Sequence, residues 1–391
     1  MNPLARHYTR FRVADRLLLS GHSHQAWPDV ALEGHIEAFD DAARHVDEKW
    51  GRAFAKAEEV RAGFRALLSD PDGEIALGVN THELVIRLLS ALDMDRRPRL
   101  VSTDGEFHTL RRQLARLGEA GIEVVRLPAQ PVDTLAERLA EAVDERTSAV
   151  LVSAVLFETG HIVPGLDGLA RACEDAGAEL VVDAYHALGA VPFAIHDLGL
   201  GSAWVVGGGY KYLQLGEGNC FLRLPAHAAE LRPVVTGWFA EFAALADEHD
   251  PSRVAYGRGS ERFAGSTYDP TSHYRAARVF AFFEEQGLTP ERLRSSYRRQ
   301  VELLAAGVDA IGAPDTVITR DRTTPLDRYA GFLALHTPHA GALHQALADR
   351  GVLADSRGSW LRLGPAPYLS DEQLEAAIAA LADALASPAF V

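Results

Sequence analysis

Polar and apolar positions fall into two rhythms along this chain. Between residues 30 and 69, Ile36, Phe39, Ala43, Val46, Trp50 and Phe54 recur at helical spacing, which predicts one long amphipathic helix or two shorter ones. Pro71-Asp72-Gly73 ends that stretch by turn chemistry. From residue 75 short apolar runs alternate with helical periods. Strands are predicted over 75–79, 99–102, 123–127 and 149–156, and in the runs that end at Asp183 and Val206; helices are predicted over 84–92, 110–118, 135–143 and 165–176. The run AVLVSAVL at 149–156 is apolar except for Ser153 and predicts a strand buried on both faces. This β-α-β rhythm, with connections long enough for helical crossovers, predicts a mostly parallel sheet ending near Leu224.

Beyond residue 272 the pattern changes to long helices over 274–286 and 290–312, strands over 316–319 and 331–335, and helices over 340–350 and 371–385. Near the start, LLLSGHSHQAWPD at 17–29 reads as a short strand and a polar loop. The expected fold class is α/β. A large unit with a mostly parallel sheet is expected over 41–274 and a smaller α+β unit over 275–391, with residues 1–40 packing near the smaller one.

Composition narrows the class. A chain of 391 residues, 47% hydrophobic and 24% charged, is long enough for a large core and two domains, and no apolar run approaches 18 residues. The net charge of −15 opposes nonspecific nucleic-acid binding, and no membrane partner is expected. Two cysteines, Cys173 and Cys220, cannot form a disulfide framework, and without zinc-ligand spacing no metal site is expected. The N-terminal stretch has charge but no continuous apolar core, so a cytoplasmic protein is expected.

The chemistry points to Lys211. It is one of three lysines beside 36 arginines, and the other two, Lys49 and Lys56, lie in a charged amphipathic segment. Arginine stays protonated, whereas a desolvated lysine can lose its proton and attack a carbonyl carbon. Lys211 follows an apolar run and Gly207-Gly208-Gly209, which predicts a tight loop at a strand end. Asp183 ends a second apolar run, where open α/β sheets put their ligands. A loop lysine and a carboxylate facing one crevice are the pair that a pyridoxal phosphate enzyme needs: a Schiff-base lysine and an acid that keeps the pyridine nitrogen protonated. GGGYK does not match a nucleotide phosphate loop, since Tyr210 precedes the lysine and Tyr212 follows it. Asn80-Thr81, between a strand and a helix, offers backbone N–H groups and a helix dipole to a phosphate; the competing reading is an ordinary helix cap.

The segment D-A-Y-H-A-L-G-A-V-P from Asp183, followed by G-Y-K-Y-L at 209–213, resembles the pyridoxal phosphate enzymes of fold type I, in the class V aminotransferase superfamily, and most closely its kynureninase branch. The resemblance extends weakly from about residue 17 to the C-terminal helix. It implies Lys211 as the Schiff-base residue and proton shuttle, with Asp183 at the ring nitrogen. His186 would support Asp183 or the O3′ side of the cofactor, and Tyr210 would contact the phosphate and help in proton transfer. Asn80 and Thr81 hold the phosphate by the same resemblance, and Phe107 stacks on the ring, with His108 as its neighbouring competitor. Thr236-Gly237-Trp238-Phe239 and the motif from Arg262 to Thr267 resemble segments that reach the cofactor phosphate or substrate across a dimer interface. They imply a homodimer with shared sites, using Trp238 and Thr267. Arg362 corresponds to the fork that binds the substrate α-carboxylate. Where the family has Gly-Asn-Ser-Leu-Gly in its N-terminal pocket loop, this chain has Gly21-His22-Ser23-His24-Gln25. His22 and His24 are therefore candidates for substrate contact or a solvated loop, and His161 sits in another loop expected near the ring.

The activity implied is hydrolytic Cβ–Cγ cleavage of an amino acid with a γ-carbonyl, releasing alanine. Transamination and C–S or β-lyase chemistry are the alternatives, and a non-catalytic binding protein on the same fold is the reading from a different class. A cysteine desulfurase of this superfamily needs a cysteine in the C-terminal third, and none follows Cys220.

Overall fold

The computed structural model describes residues 2–245, 250, 252–387 and 390. Strand β1 (Leu17–Leu18) leads to helices α1 (Val30–His45) and α2 (Lys49–Leu68), so the long helical period is divided. The break falls at Val46, where φ is 47° and the N–H turns back to Ala42. Strands β2 (Glu74–Gly78), β3 (Arg99–Thr103), β4 (Glu123–Leu127), β5 (Thr147–Ser153), β6 (Glu179–Asp183), β7 (Trp204–Gly208) and β8 (Cys220–Leu224) form a seven-stranded sheet in the order β2-β8-β7-β6-β5-β3-β4. Strand β8 runs against both neighbours, β2 and β7, and the other pairings are parallel. The mostly parallel α/β sheet is as expected.

Helices α3 (Thr81–Leu89), α4 (His108–Glu119), α5 (Leu135–Glu141) and α6 (Leu166–Ala176) connect the strands as far as β6. The helical crossover expected between β6 and β7 does not form. Residues 184–203 are built of turns, because Gly189, with φ 82°, and Pro192 interrupt any helical run there.

The C-terminal part holds α7 (Thr271–Glu285), α8 (Pro290–Ile311), β9 (Leu333–His336), α9 (Ala340–Ala348), β10 (Val352–Leu353), β11 (Asp355–Arg357), β12 (Trp360–Leu363) and α10 (Asp371–Leu385). The strand expected over 316–319 is a turn instead. The N–H groups of Val317 and Ile318 bond back to Pro314, which leaves a lone bridge from Thr319 to His336. The segment around Arg362, to which the sequence assigns no element, is an antiparallel hairpin, β11–β12, turned at Gly358 with φ 54° and extended by β9. Strand β1 pairs in parallel with β10, so the N-terminal segment reaches across to the C-terminal part.

Chain order reverses in the large sheet between β3 and β5: β4 lies outside β3, whereas β6 and β7 continue from β5 in the other direction. Such a reversal opens a crevice at the carboxyl ends of the strands. The loops after β3, β5, β6 and β7 all open onto that end of the sheet, which positions the site.

Candidate active site

Strand β7 ends in Gly207-Gly208, with Gly209 following, because the neighbours leave no room. A Cβ on Gly208 would lie 2.4 Å from the Tyr185 hydroxyl and 2.6 Å from Cys220 Sγ. The following loop closes on itself as the Gly209 N–H donates to Asn219 O at 2.9 Å and the Leu215 N–H to Gly209 O at 2.9 Å. This loop carries Lys211, buried at 6% exposure. Its Nζ lies 2.7 Å from His186 Nε2, 4.6 Å from the centre of the Tyr185 ring and 5.4 Å from that of Phe107. Burial lowers the amine from the ordinary 10.5 to about 7, against the opposing charge of Asp183 and with a smaller contribution from Arg362. A large neutral fraction is then available near neutral pH.

His186 is buried, and both burial and the Lys211 charge push its pKa well down, so the ring is neutral. Nδ1 has no partner, and Nε2 faces Lys211 rather than Asp183. Asp183 Oδ1 accepts the Tyr185 N–H at 2.8 Å. Burial raises its carboxyl pKa, which the Tyr185 N–H and Lys211 restrain.

Asp183, His186, Tyr210 and Lys211 share a cavity of about 330 Å³ with Asn80, Thr81 and Phe107. That lies within the range of roughly 300–1,000 Å³ for small-ligand pockets. The Asn80 side chain does what the simpler reading proposed: its Oδ1 caps α3 by accepting the Glu83 N–H at 2.9 Å. Thr81 and His82 then bring the positive end of α3 to the cavity wall. Tyr210 stacks on His24, with ring centres 4.9 Å apart, and burial pushes its hydroxyl pKa up to about 12.

Arg362 is 3% exposed and already engaged. It donates to Phe157 O at 2.5 Å and to the Asp355 carboxylate, while its Nε has no partner. Asp355 also lies 3.5 Å from His22 Nε2 and 3.3 Å from Arg357. His22 does not line the Lys211 cavity: it is fully buried, stacks on Phe332 at 4.5 Å, and burial lowers its pKa to about 4. His24 stands at the rim with Nε2 3.8 Å from Glu217, a cavity residue. His161 is turned away, 3.5 Å from Asp321 and against the Tyr329 ring. Trp238 Nε1 donates to Thr267 Oγ1 at 3.2 Å, and Thr267 lines a neighbouring cavity of about 550 Å³ that shares Val79 and Gly218 with the first. His108 points outward and bonds Arg111.

Glu106, to which the sequence assigned no role, is fully buried. It accepts from the Thr103 hydroxyl at 2.7 Å, the Ser153 hydroxyl at 2.6 Å and the Ser153 N–H at 3.2 Å. Burial raises its pKa to about 7, and the charge of Asp183 adds to the rise. The available signal was an acid in a turn just after a strand next to the crevice.

The chain resembles the pyridoxal-phosphate-dependent enzymes of fold type I, in the class V aminotransferase superfamily near its kynureninase branch, and shares their fold. It is 26% identical to a kynureninase of Pseudomonas fluorescens over 87% of this chain and 82% of that one, and 29% identical to a kynureninase of Salinispora tropica over 88% and 81%. An uncharacterised aminotransferase of Bacillus subtilis is 22% identical over 88% of each chain. Among solved structures, a mutant of C-DES with glycine covalently linked to its PLP cofactor superposes with a TM-score of 0.83 at 17% identity, covering 97% of this chain and 99% of that one. The apo cysteine desulfurase of Thermococcus onnurineus gives 0.82 at 19% identity over 98% of each. No family model matches the chain. The residues present fit the cofactor: an amine depressed by burial, a carboxylate at the end of β6, an aromatic face and a helix N-terminus surround one cavity of suitable size.

Proposed function

We propose that this protein hydrolyses the Cβ–Cγ bond of an amino acid bearing a γ-carbonyl, in the manner of a kynureninase, consuming one water and releasing alanine and the carboxylic acid of the γ-acyl fragment, as a cytoplasmic homodimer. The observation that carries this reading is the likeness to kynureninases over more than four-fifths of the chain. When bound, the cofactor supplies a ring that draws electrons from the substrate α-carbon.

The chain's own residues do the rest. Lys211 Nζ would hold the cofactor covalently and would take and return the α-carbon proton of the substrate, a task suited to an amine with a pKa of about 7. His186, 2.7 Å away, keeps that nitrogen aimed into the cavity. Asp183 would hold a proton on the ring nitrogen, and Phe107 would lie against the ring. Thr81, the N-terminal end of α3 that Asn80 caps, and Tyr210 would hold the phosphate end. Arg362 takes the substrate α-carboxylate, exchanging one of its present partners for it or using its unpartnered Nε. His22 acts from behind through Asp355, and His24 meets the distal part of the substrate at the rim. Trp238 and Thr267 serve the site of a second subunit. The 45% exposure of Trp238, near exposed Val234, Val235 and Phe242, suits an interface between copies. The division into units over 41–274 and 275–391 is part of this proposal. No helix among the described residues is long and apolar enough to cross a membrane.

Transamination is the second reading, favoured by the aminotransferase relative. The test is a visible spectrum of the reconstituted protein with and without L-kynurenine and 3-hydroxykynurenine, with alanine measured as product. A cofactor band that is lost in Lys211→Ala, together with alanine formation, supports the proposal. A band with no alanine from either compound sinks the hydrolytic reading, and failure to reconstitute any band sinks the cofactor site at Lys211.

A further inference from the structure

The crevice between β3 and β5 is held in an unusual way. Their backbone pairing covers only Arg99 to Val101 on β3 and Thr147 to Val150 on β5. The outer pairings continue to the strand ends, Thr103 with Leu127 and Ser153 with Asp183. Strands β3 and β5 therefore part before their carboxyl ends, at the point where chain order reverses. Side chains bridge the gap: the Ser102 hydroxyl donates to Leu151 O at 2.8 Å, and further out Glu106 joins Thr103 to Ser153 through three hydrogen bonds.

We propose that Glu106 is a positioning residue of this site: its carboxyl group fastens the parted ends of β3 and β5, and so fixes Phe107 and Ser153 against the bound cofactor ring. The proposal rests on the cofactor reading above. Phe107 follows Glu106 directly and is the N-cap of α4, so its ring direction depends on where that turn is held. Ser153 lines the Lys211 cavity and pairs with Asp183. Both bonds from Ser153 run to Glu106, so the wall beside Asp183 is tied to the turn that carries Phe107. Apolar packing would hold two strands together without the desolvation cost of a fully buried carboxyl group. A carboxyl group joins three donors at set directions, which positions them as packing alone does not.

The test uses pyridoxal phosphate alone, with visible circular dichroism per bound cofactor and cofactor affinity as readouts. Glu106→Ala is expected to bind at least about 10-fold more weakly and to lose more than half of the visible signal, whereas Glu106→Gln, which can still join Thr103 to Ser153, recovers most of both. A wild-type visible signal in folded Glu106→Ala overturns the proposal, even if thermal stability falls. If Glu106→Ala does not fold, Ser153→Ala decides: at least a two-fold loss of signal supports the proposal and an unchanged signal overturns it. Absence of any band in the wild type, or a band that persists in Lys211→Ala, defeats the cofactor reading itself and this inference with it.

Discussion

Lys211 should react as an amine titrating near pH 7. At pH 7.5 such an amine is roughly three-quarters neutral, whereas an ordinary lysine of pKa 10.5 is neutral only about 0.1% of the time. The difference corresponds to roughly 5 kcal/mol against the ammonium form. Mixing apoprotein with excess pyridoxal, which lacks the phosphate, and following absorbance by stopped flow gives the rate of attachment. The rate is expected to climb about tenfold per pH unit below pH 7 and to level off above it. Asp183→Asn removes the charge that favours the ammonium, so the break should move to lower pH. Stability gives a second readout. The folded pKa lies below the unfolded one, so the unfolded chain binds the extra proton between pH 7 and 10.5, and unfolding free energy rises with pH across that window. Lys211→Met should therefore stabilise the apoprotein most below pH 7 and least near 10.5, less about 1 kcal/mol for the lost His186 contact. A rate still climbing tenfold per unit through pH 9, with a pH-independent effect of Lys211→Met on stability, would refute the reasoning.

Two further outcomes follow from the packing. Asp355→Asn leaves the Arg362 guanidinium buried without its counter-charge and should cost roughly 3 kcal/mol in denaturant unfolding at pH 7. Because the Asp355 pKa is depressed, that difference is present above the ordinary carboxylate range and vanishes as pH falls through the folded value. Gly208→Ala places a methyl group 2.4 Å from the Tyr185 hydroxyl and should cost about 1–3 kcal/mol by overpacking. It should also perturb the visible spectrum, since Tyr185 faces Lys211 at 4.6 Å.

Lys211 and Asp183 were legible because their signal is local: a lysine in a chain rich in arginine, a glycine run, and an acid closing an apolar strand. The partner of Arg362 was not. Asp355 and Arg362 face each other as cross-strand neighbours, a relation that exists only once residues 355–363 fold as a hairpin. Glu106 and Ser153 are 47 residues apart and meet because β3 and β5 part, which no periodicity announces. His22 carried two readings, substrate contact or a solvated loop, and it is instead fully buried. Its burial follows from the close approach of Gly21 and Gly364, where the Gly21 N–H donates to Gly364 O at 2.7 Å. Asn80 carried two readings, and the structure gives its side chain the capping role, leaving the phosphate to the helix end beside it.

On the proposed reading, cofactor-facing and substrate-facing residues come from different parts of the chain, and a buried polar path joins the lysine loop to the N-terminal loop and α8. Lys211, His186 and Phe107 come from the loops of the large sheet and Asp183 from the end of β6, whereas Arg362 and Asp355 come from the C-terminal hairpin and His22 from the N-terminal loop. Tyr8 donates to Gln214 at 2.6 Å, Gln214 to Gln25 at 3.0 Å and Gln25 to Tyr297 at 2.7 Å, all buried. Gln214 lies three residues beyond Lys211, with φ 60°, so the lysine loop is held in a strained turn by the same path that fixes the His22 loop and α8. A fully satisfied buried network specifies one arrangement more strongly than apolar packing does. Arg362 is tied to the N-terminal segment separately, through Asp355 and His22. On the proposed reading, a change of substrate proceeds through residues 21–25 and the hairpin while the loops around Lys211 stay as they are.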